Sequence, residues 1–141
     1  MTRQEWIDQD NSIYHITQTR NVQSILDKGF ENRNGKGICV VRTNDGRVVR
    51  YICEMMLCID DDLDFSVIEI IPSKFNIQAN EIQVDSVVEF TNPSHNYIKR
   101  ESIPVKEENV IWTYRASPLG IPDLHEYETT LRQEFDIEQL T

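Results

Sequence analysis

The chain has few cysteines, no long apolar run and no excess of basic residues, and each shortage excludes a class of protein. Its cysteines, Cys39, Cys53 and Cys58, are an odd number without Cys-X-X-Cys spacing, so neither a disulfide framework nor a metal site is expected. No stretch approaches the roughly 20 apolar residues that cross a bilayer. The N-terminus is polar and lacks the apolar centre of a signal peptide. We therefore expect a cytoplasmic protein with no membrane partner.

Basic residues are outnumbered, with 14 Lys and Arg against 24 Asp and Glu, which gives a net charge of −10. Such a chain repels a phosphate backbone unless a basic patch compensates, so nucleic acid is a disfavoured substrate. The basic cluster runs through Arg33, Lys36, Arg42, Arg47 and Arg50. The acidic stretches are 60–64 and 123–138. This asymmetry suits a basic pocket on an acidic shell, although the acids are equally explained as solvated surface.

The five glycines form neither of the common nucleotide-binding motifs. No Gly-X-Gly-X-X-Gly follows a strand, and Gly-X4-Gly-Lys-Ser/Thr is absent, so neither a Rossmann site nor a P-loop is predicted. A chain of 141 residues fits one globular domain over residues 1–141.

Apolar periodicity in the first half predicts two strands and two helices. Ile13 to Ile16 is predicted as a strand, followed by a helix that Asn21 caps and Gly29 ends. The branched run Ile38 to Val41 is typical of a buried strand. After a turn at residues 43–46, apolar residues at three- and four-residue intervals over 48–56 predict a second helix.

The second half reads mainly as strands. We predict strands at Phe65 to Ile71, Glu81 to Val84, Val87 to Phe90 and Val110 to Tyr114, with Pro72 ending the first. A closing amphipathic helix is predicted from the spacing Leu124, Tyr127, Leu131, Phe135. Residues 91–102 are polar and are expected to form a long loop. This order of elements favours a mixed, mainly antiparallel α+β domain.

Several short motifs then occur in an informative order. His15 is followed at two residues by Thr17; Gly37-Ile38-Cys39 precedes a helix pattern that carries Tyr51; and Asn80-Glu81-Ile82-Gln83-Val84 begins a later strand. Over residues 13 to 90 this order resembles the ADP-ribosyltransferase fold, in the branch that includes the poly(ADP-ribose) polymerases and the bacterial DNA ADP-ribosyltransferase toxins. The resemblance implies a split β-sandwich of mainly antiparallel strands with flanking helices. It also implies that NAD is the substrate.

The resemblance implies a role for each matched residue. Glu81 would be the catalytic carboxylate, stabilising the positive charge that develops on the ribose as nicotinamide leaves. His15 would hydrogen-bond the adenine-side ribose, and Thr17 would bind the same sugar or nearby backbone. Backbone groups at Gly37 would help to hold the nicotinamide amide. Tyr51 would stack on the cationic ring.

Other residues leave alternatives open. Arg33 and Arg42 are the favoured pyrophosphate partners among the nearby arginines, because a guanidinium binds phosphate bidentately. Glu69 is a rival for the catalytic carboxylate. His15 and Tyr51 could instead be packing residues, and Cys39 departs from the tyrosine of the related strand.

The function expected from the resemblance is mono-ADP-ribosylation of a macromolecule by a toxin or effector. The net charge favours a protein acceptor over nucleic acid, and residues 91–102 could recognise that acceptor. RNA 2′-phosphotransferases share the fold but need more basic residues, so they rank third. The alternative from a different class is a non-enzymatic acidic inhibitor that blocks the basic surface of a partner.

Overall fold

A computed structural model describes residues 2–32, 35, 37–41, 53, 62–84 and 96–115. Two short helices are present in these ranges, α1 (Arg3–Asp8) and α2 (Val22–Lys28). The strands are β1 (Ile13–Gln18), β2 (Phe30–Glu31), β3 (Ile38–Val40), β4 (Asp64–Ile70), β5 (Ile82–Val84), β6 (Asn96–Ile98), β7 (Ser102–Ile103) and β8 (Val110–Arg115). Both named α-helices precede β2, and the described elements show no regular βαβ repeat, which confirms the predicted α+β class.

The described strands form two three-stranded sheets and one small pair. One sheet has the order β1-β4-β8, the second has the order β3-β6-β5, and β2 pairs with β7. Every one of these pairings is antiparallel, as the sequence predicted. The backbones of Tyr14 and Val41 exchange hydrogen bonds of 2.8 and 2.9 Å, which join the edge of the first sheet to the chain beyond β3.

The core lies where these sheets face each other and the N-terminal helix. Its members include Ile7 of α1 and apolar side chains from β1, β3, β4, β5 and β6: Ile13, Ile38, Val40, Ile68, Ile70, Ile82 and Ile98. Side chains alternate between the faces of a strand, so Ile68 and Ile70 of β4 reach one face while Phe65 and Val67 are buried on the other. Burial on both faces explains why β4 reads as an almost continuous apolar run.

The N-terminal helix α1 is a feature that sequence reasoning missed. The Thr2 hydroxyl accepts a 3.1 Å hydrogen bond from the amide of Glu5, which caps the first turn. Ile7 is then buried in the core and Trp6 packs against it. The Thr-X-X-Glu spacing was the available signal, because it is typical of a helix N-terminus.

Helix α2 occupies the predicted place, but the side chain of its N-cap residue, Asn21, does not act as predicted. Asn21 makes no capping hydrogen bond; its side-chain amide donates to Thr17 Oγ1 at 3.1 Å and to Gln18 Oε1 at 3.3 Å. Asn21 therefore lies at the predicted N-cap position, but its side chain binds back to β1 instead of capping the helix. Gly29 ends the helix as predicted, with a φ of 77°.

The predicted polar loop over residues 91–102 also needs correction. Asn96–Ile98 form the central strand of the second sheet, and Ser102–Ile103 pair with β2. Tyr97 and Ile98 are almost completely buried, with exposed fractions of 2% and 0%. Pairing with β3 on one side and β5 on the other stabilises β6 as a strand, although polar residues surround Tyr97 and Ile98 in the sequence.

Other predicted elements fall outside the part of the chain that the structure describes. These are the strand over 87–90, the closing helix from Leu124 and the helix over 48–56 except for Cys53, which has a helical backbone and is completely buried. Among the described helices, none has the length and apolarity needed to span a membrane.

Candidate functional site

A cavity of about 210 Å³ lies between β1, β3 and the start of α2. Its walls include His15 and Thr17 from β1 and Cys39 from β3. The other lining residues come from helix α2 and the residue before it, and from β2 and the glycine before it: Asn21, Ser24, Ile25, Gly29, Phe30 and Glu31. Alternation along β1 puts His15 and Thr17 on the same face of the strand. Two side chains of the predicted site therefore open into one cavity.

His15 is held in a single tautomer. Its Nδ1 lies 2.6 Å from the carbonyl oxygen of Cys39, and because a carbonyl can only accept, Nδ1 carries the hydrogen and donates it. The ring also contacts Phe30, with 4.6 Å between ring centroids. Burial lowers the pKa of His15 below its ordinary 6.5, and the bond to Cys39 only partly opposes this. The imidazole is therefore neutral at pH 7, and Nε2 is an acceptor suited to a hydroxyl.

Thr17 lies beside His15 with 6% of its surface exposed. Its oxygen accepts a 3.1 Å hydrogen bond from the side-chain amide of Asn21, which fixes the position of the hydroxyl. Within the described ranges no acceptor is seen for the hydroxyl hydrogen. Thr17 can therefore donate to a ligand, whereas Nε2 of His15 can accept. A vicinal diol, such as that of a ribose, presents both complementary groups.

Gly37 stands at the entry to β3, pressed against the end of β6. Its φ is 124°, and an added Cβ would lie 2.5 Å from the carbonyl oxygen of Ile98. The Gly37 amide already donates to Asn32 Oδ1 at 3.0 Å. Backbone groups of Gly37 were expected to hold a nicotinamide amide. The N–H of Gly37 already has a partner within the protein, so this group is not available for that role.

Glu81 lies at the start of β5, outside the cavity lined by His15. Its carboxylate forms a fork with Arg100, in which Nε donates to Oε1 and Nη2 donates to Oε2, each at 3.1 Å. The amide of Gln78 donates to Oε2 at 2.8 Å. The bonds to Arg100 are the main cause that lowers the pKa of Glu81 below its ordinary 4.5; burial opposes this, and the bond from Gln78 adds to it. Glu81 is therefore ionised at neutral pH.

The second sheet nevertheless places Glu81 and Gly37 at the same position along its strands. Ile38, Ile98 and Ile82 face one another across β3, β6 and β5. The next residue after Ile98 continues this row, since the amide of Lys99 donates to the Glu81 carbonyl at 2.7 Å. Two strand spacings amount to about 9 to 10 Å. Gly37 and Glu81 thus flank the same strand end, on opposite sides of β6.

Glu69, the rival carboxylate, lies on the wrong face of the first sheet for this cavity. It pairs with Tyr14 in the β1–β4 register, whereas His15 pairs with Ile68. Adjacent residues of a strand point to opposite faces, so Glu69 and His15 lie on opposite sides of the sheet. Glu69 lines a separate surface cleft of about 510 Å³, together with Lys74 and Lys106. Neither Glu81 nor Glu69 lines the cavity beside His15, and the first sheet separates Glu69 from it.

Three predicted site residues lie outside the described residues: Tyr51, Arg33 and Arg42. Cys39 is half-buried in the wall of the cavity. Sequence reasoning missed Arg100, Asn21 and Ser24. Arg100 follows Glu81 by 19 residues, a separation with no periodic signal, and only the β5–β6 pairing reveals their contact.

Metal binding finds no support in the parts of the chain that the structure describes, where no three His, Cys, Asp or Glu side chains are grouped to hold an ion. Comparison with known proteins finds no matching family model, no matching curated protein and no matching solved structure.

Proposed function

We propose that the protein is a NAD-dependent mono-ADP-ribosyltransferase, acting in the cytoplasm on a macromolecular acceptor, as a toxin or effector does. The acceptor is a protein rather than a nucleic acid, because the net charge of −10 opposes a phosphate backbone.

One observation carries this proposal: two of the separate sequence motifs meet at one cavity. His15 and Thr17 come from β1, and Cys39 comes from the Gly-Ile-Cys strand β3. The hydrogen bond from His15 Nδ1 to the Cys39 carbonyl links them directly. It leaves Nε2 of His15 as an acceptor beside the Thr17 hydroxyl, a pair that matches the two hydroxyls of a ribose.

In this reaction the protein binds NAD and stabilises the positive charge that develops on the ribose. The bond between ribose C1′ and the nicotinamide nitrogen breaks, and its electron pair leaves with neutral nicotinamide. An acceptor nucleophile then bonds to C1′ and releases a proton. The ribose carries oxocarbenium character in between, which an ionised Glu81 stabilises and a protonated one does not. A lowered pKa for Glu81 suits this role.

Thermal stabilisation by NAD tests the binding half of the proposal. A ligand at a hundredfold excess over its Kd stabilises a folded protein by about 2.7 kcal/mol. We expect NAD to raise the melting temperature of the wild type. Thr17→Val removes one hydroxyl at nearly constant volume and should weaken NAD binding by roughly tenfold.

The matched control is Thr113→Val, a strand threonine that is exposed on β8. It should leave the response to NAD unchanged. Absence of any NAD response in the wild type would contradict the proposal and favour the acidic inhibitor, whose affinity for a basic partner falls steeply as salt is added.

A further inference from the structure

The side chain of Arg100 binds both Glu81 and the backbone of the preceding turn. Besides the two bonds to the carboxylate, Nη1 donates to the carbonyl of Phe75 at 2.8 Å and Nη2 donates to the carbonyl of Asn76 at 3.1 Å. The guanidinium is therefore fixed in position by the turn before β5. Both side chains are 28% exposed, so the pair is reachable from solvent.

This network fixes the carboxylate and leaves part of it available. A carboxylate offers about four acceptor positions. In the described residues three of them are filled, one on Oε1 by Arg100 and two on Oε2 by Arg100 and Gln78. One position on Oε1 remains. A planar fork also restricts the carboxylate to a single orientation, which a lysine ammonium does not do.

We propose that Arg100 is a positioning residue for Glu81, which holds the carboxylate in one orientation so that Oε1 meets the ribose of NAD. The inference rests on the proposed transferase function. Arg100 itself touches Glu81 and the backbone of the preceding turn, whereas binding of the adenine-side ribose belongs to His15 and Thr17.

Loss of Arg100 is expected to affect kcat and KM differently. Loss of Arg100 should disturb the orientation of Glu81 and leave the His15 cavity intact, so kcat falls while KM changes little. The expected loss in kcat is roughly 10- to 100-fold, the size of effect that a small misplacement of a catalytic group produces.

The acid side of the pH profile should move as well. The side chain of Arg100 is the charged group that lowers the pKa of Glu81, while Lys99 contacts Glu81 through backbone atoms. Without the guanidinium, Glu81 takes up a proton at a higher pH. The acid limb of kcat should therefore shift to higher pH in Arg100→Gln, with a smaller shift in Arg100→Lys, which keeps the charge but loses the fork.

The experiment measures nicotinamide release from NAD over a pH series by the wild type, Arg100→Gln, Arg100→Lys and Arg115→Gln. Arg115 is the matched control, because it forms a 2.8 Å ion pair with Asp64 on an exposed surface. Circular dichroism verifies that each variant folds, and Arg100→Lys serves if Arg100→Gln does not.

Reduced kcat with a shifted acid limb in the Arg100 variants, and neither change in Arg115→Gln, is the expected result. A folded Arg100 variant whose acid limb stays in place overturns the inference, whether or not kcat falls, since a merely structural contact would not set the pKa of the reacting group. A wild type that releases no nicotinamide overturns the transferase function itself, and the two failures are therefore distinguishable.

Discussion

Replacing Gly37 by alanine should destabilise the protein far more than the same change two residues earlier. The φ of Gly37 is 124°, which an L side chain rarely adopts, and the new Cβ would lie 2.5 Å from the Ile98 carbonyl oxygen. Backbone strain contributes about 1 to 3 kcal/mol. The steric overlap contributes a similar amount, because the Ile98 carbonyl is a backbone group that cannot rotate out of the way as a side chain can. Together they predict a loss of about 4 kcal/mol in the free energy of unfolding.

Gly35 supplies the matched control. Its φ is 76°, but no atom lies within 4 Å of an added Cβ. Only the backbone cost remains, so Gly35→Ala should lose about 1 kcal/mol. Urea denaturation measures both, and with a slope of about 2 kcal/mol per molar the midpoints should fall by roughly 2 M and 0.5 M. Equal midpoints for the two variants would refute the close approach of β3 to β6 at Gly37.

Two further predictions concern pH. Because burial lowers the pKa of His15, the unfolded chain takes up a proton below about pH 6.5 that the folded chain does not, so stability falls as the pH drops below this value. His15→Gln should flatten that part of the stability curve in thermal denaturation, and an unchanged slope would contradict a half-buried, neutral imidazole. The lowered pKa of Glu81 contributes stability above pH 4.5 that is lost as the pH falls below it. Arg100→Gln should remove this contribution and lower the free energy of unfolding by about 1 kcal/mol near pH 7. Arg115→Gln, which breaks an exposed ion pair, should lower it by less than about 0.5 kcal/mol. Equal losses in the two variants would mean that the paired hydrogen bonds between Arg100 and Glu81 add no stability.

Local patterns were sufficient to predict the strands that carry most of the candidate site. The apolar residues at 13 and 16 predicted β1, and the branched run from Ile38 predicted β3. Gly29 marked the end of α2. In each case burial of one face, or a helix-ending glycine, leaves a direct trace in the sequence.

Features that depend on distant pairing could not be predicted in this way. β6 contains only three residues, and its place at the centre of the second sheet comes from its neighbours on both sides. The contact between Glu81 and Arg100 depends on that pairing. Asn21 binds Thr17 rather than capping its helix, a choice between two hydrogen-bonding partners that helix-capping preferences do not determine.

The most direct test of the account is nicotinamide release from NAD by the wild type, Glu81→Gln and Glu69→Gln, each with and without a cell lysate as a source of acceptors. Glu69 serves as the control because it lies on the opposite face of the sheet from His15. The account predicts release that depends on lysate, is lost in Glu81→Gln and persists in Glu69→Gln. Release lost in Glu69→Gln and retained in Glu81→Gln would contradict the assigned carboxylate, and no release by the wild type would contradict the enzyme.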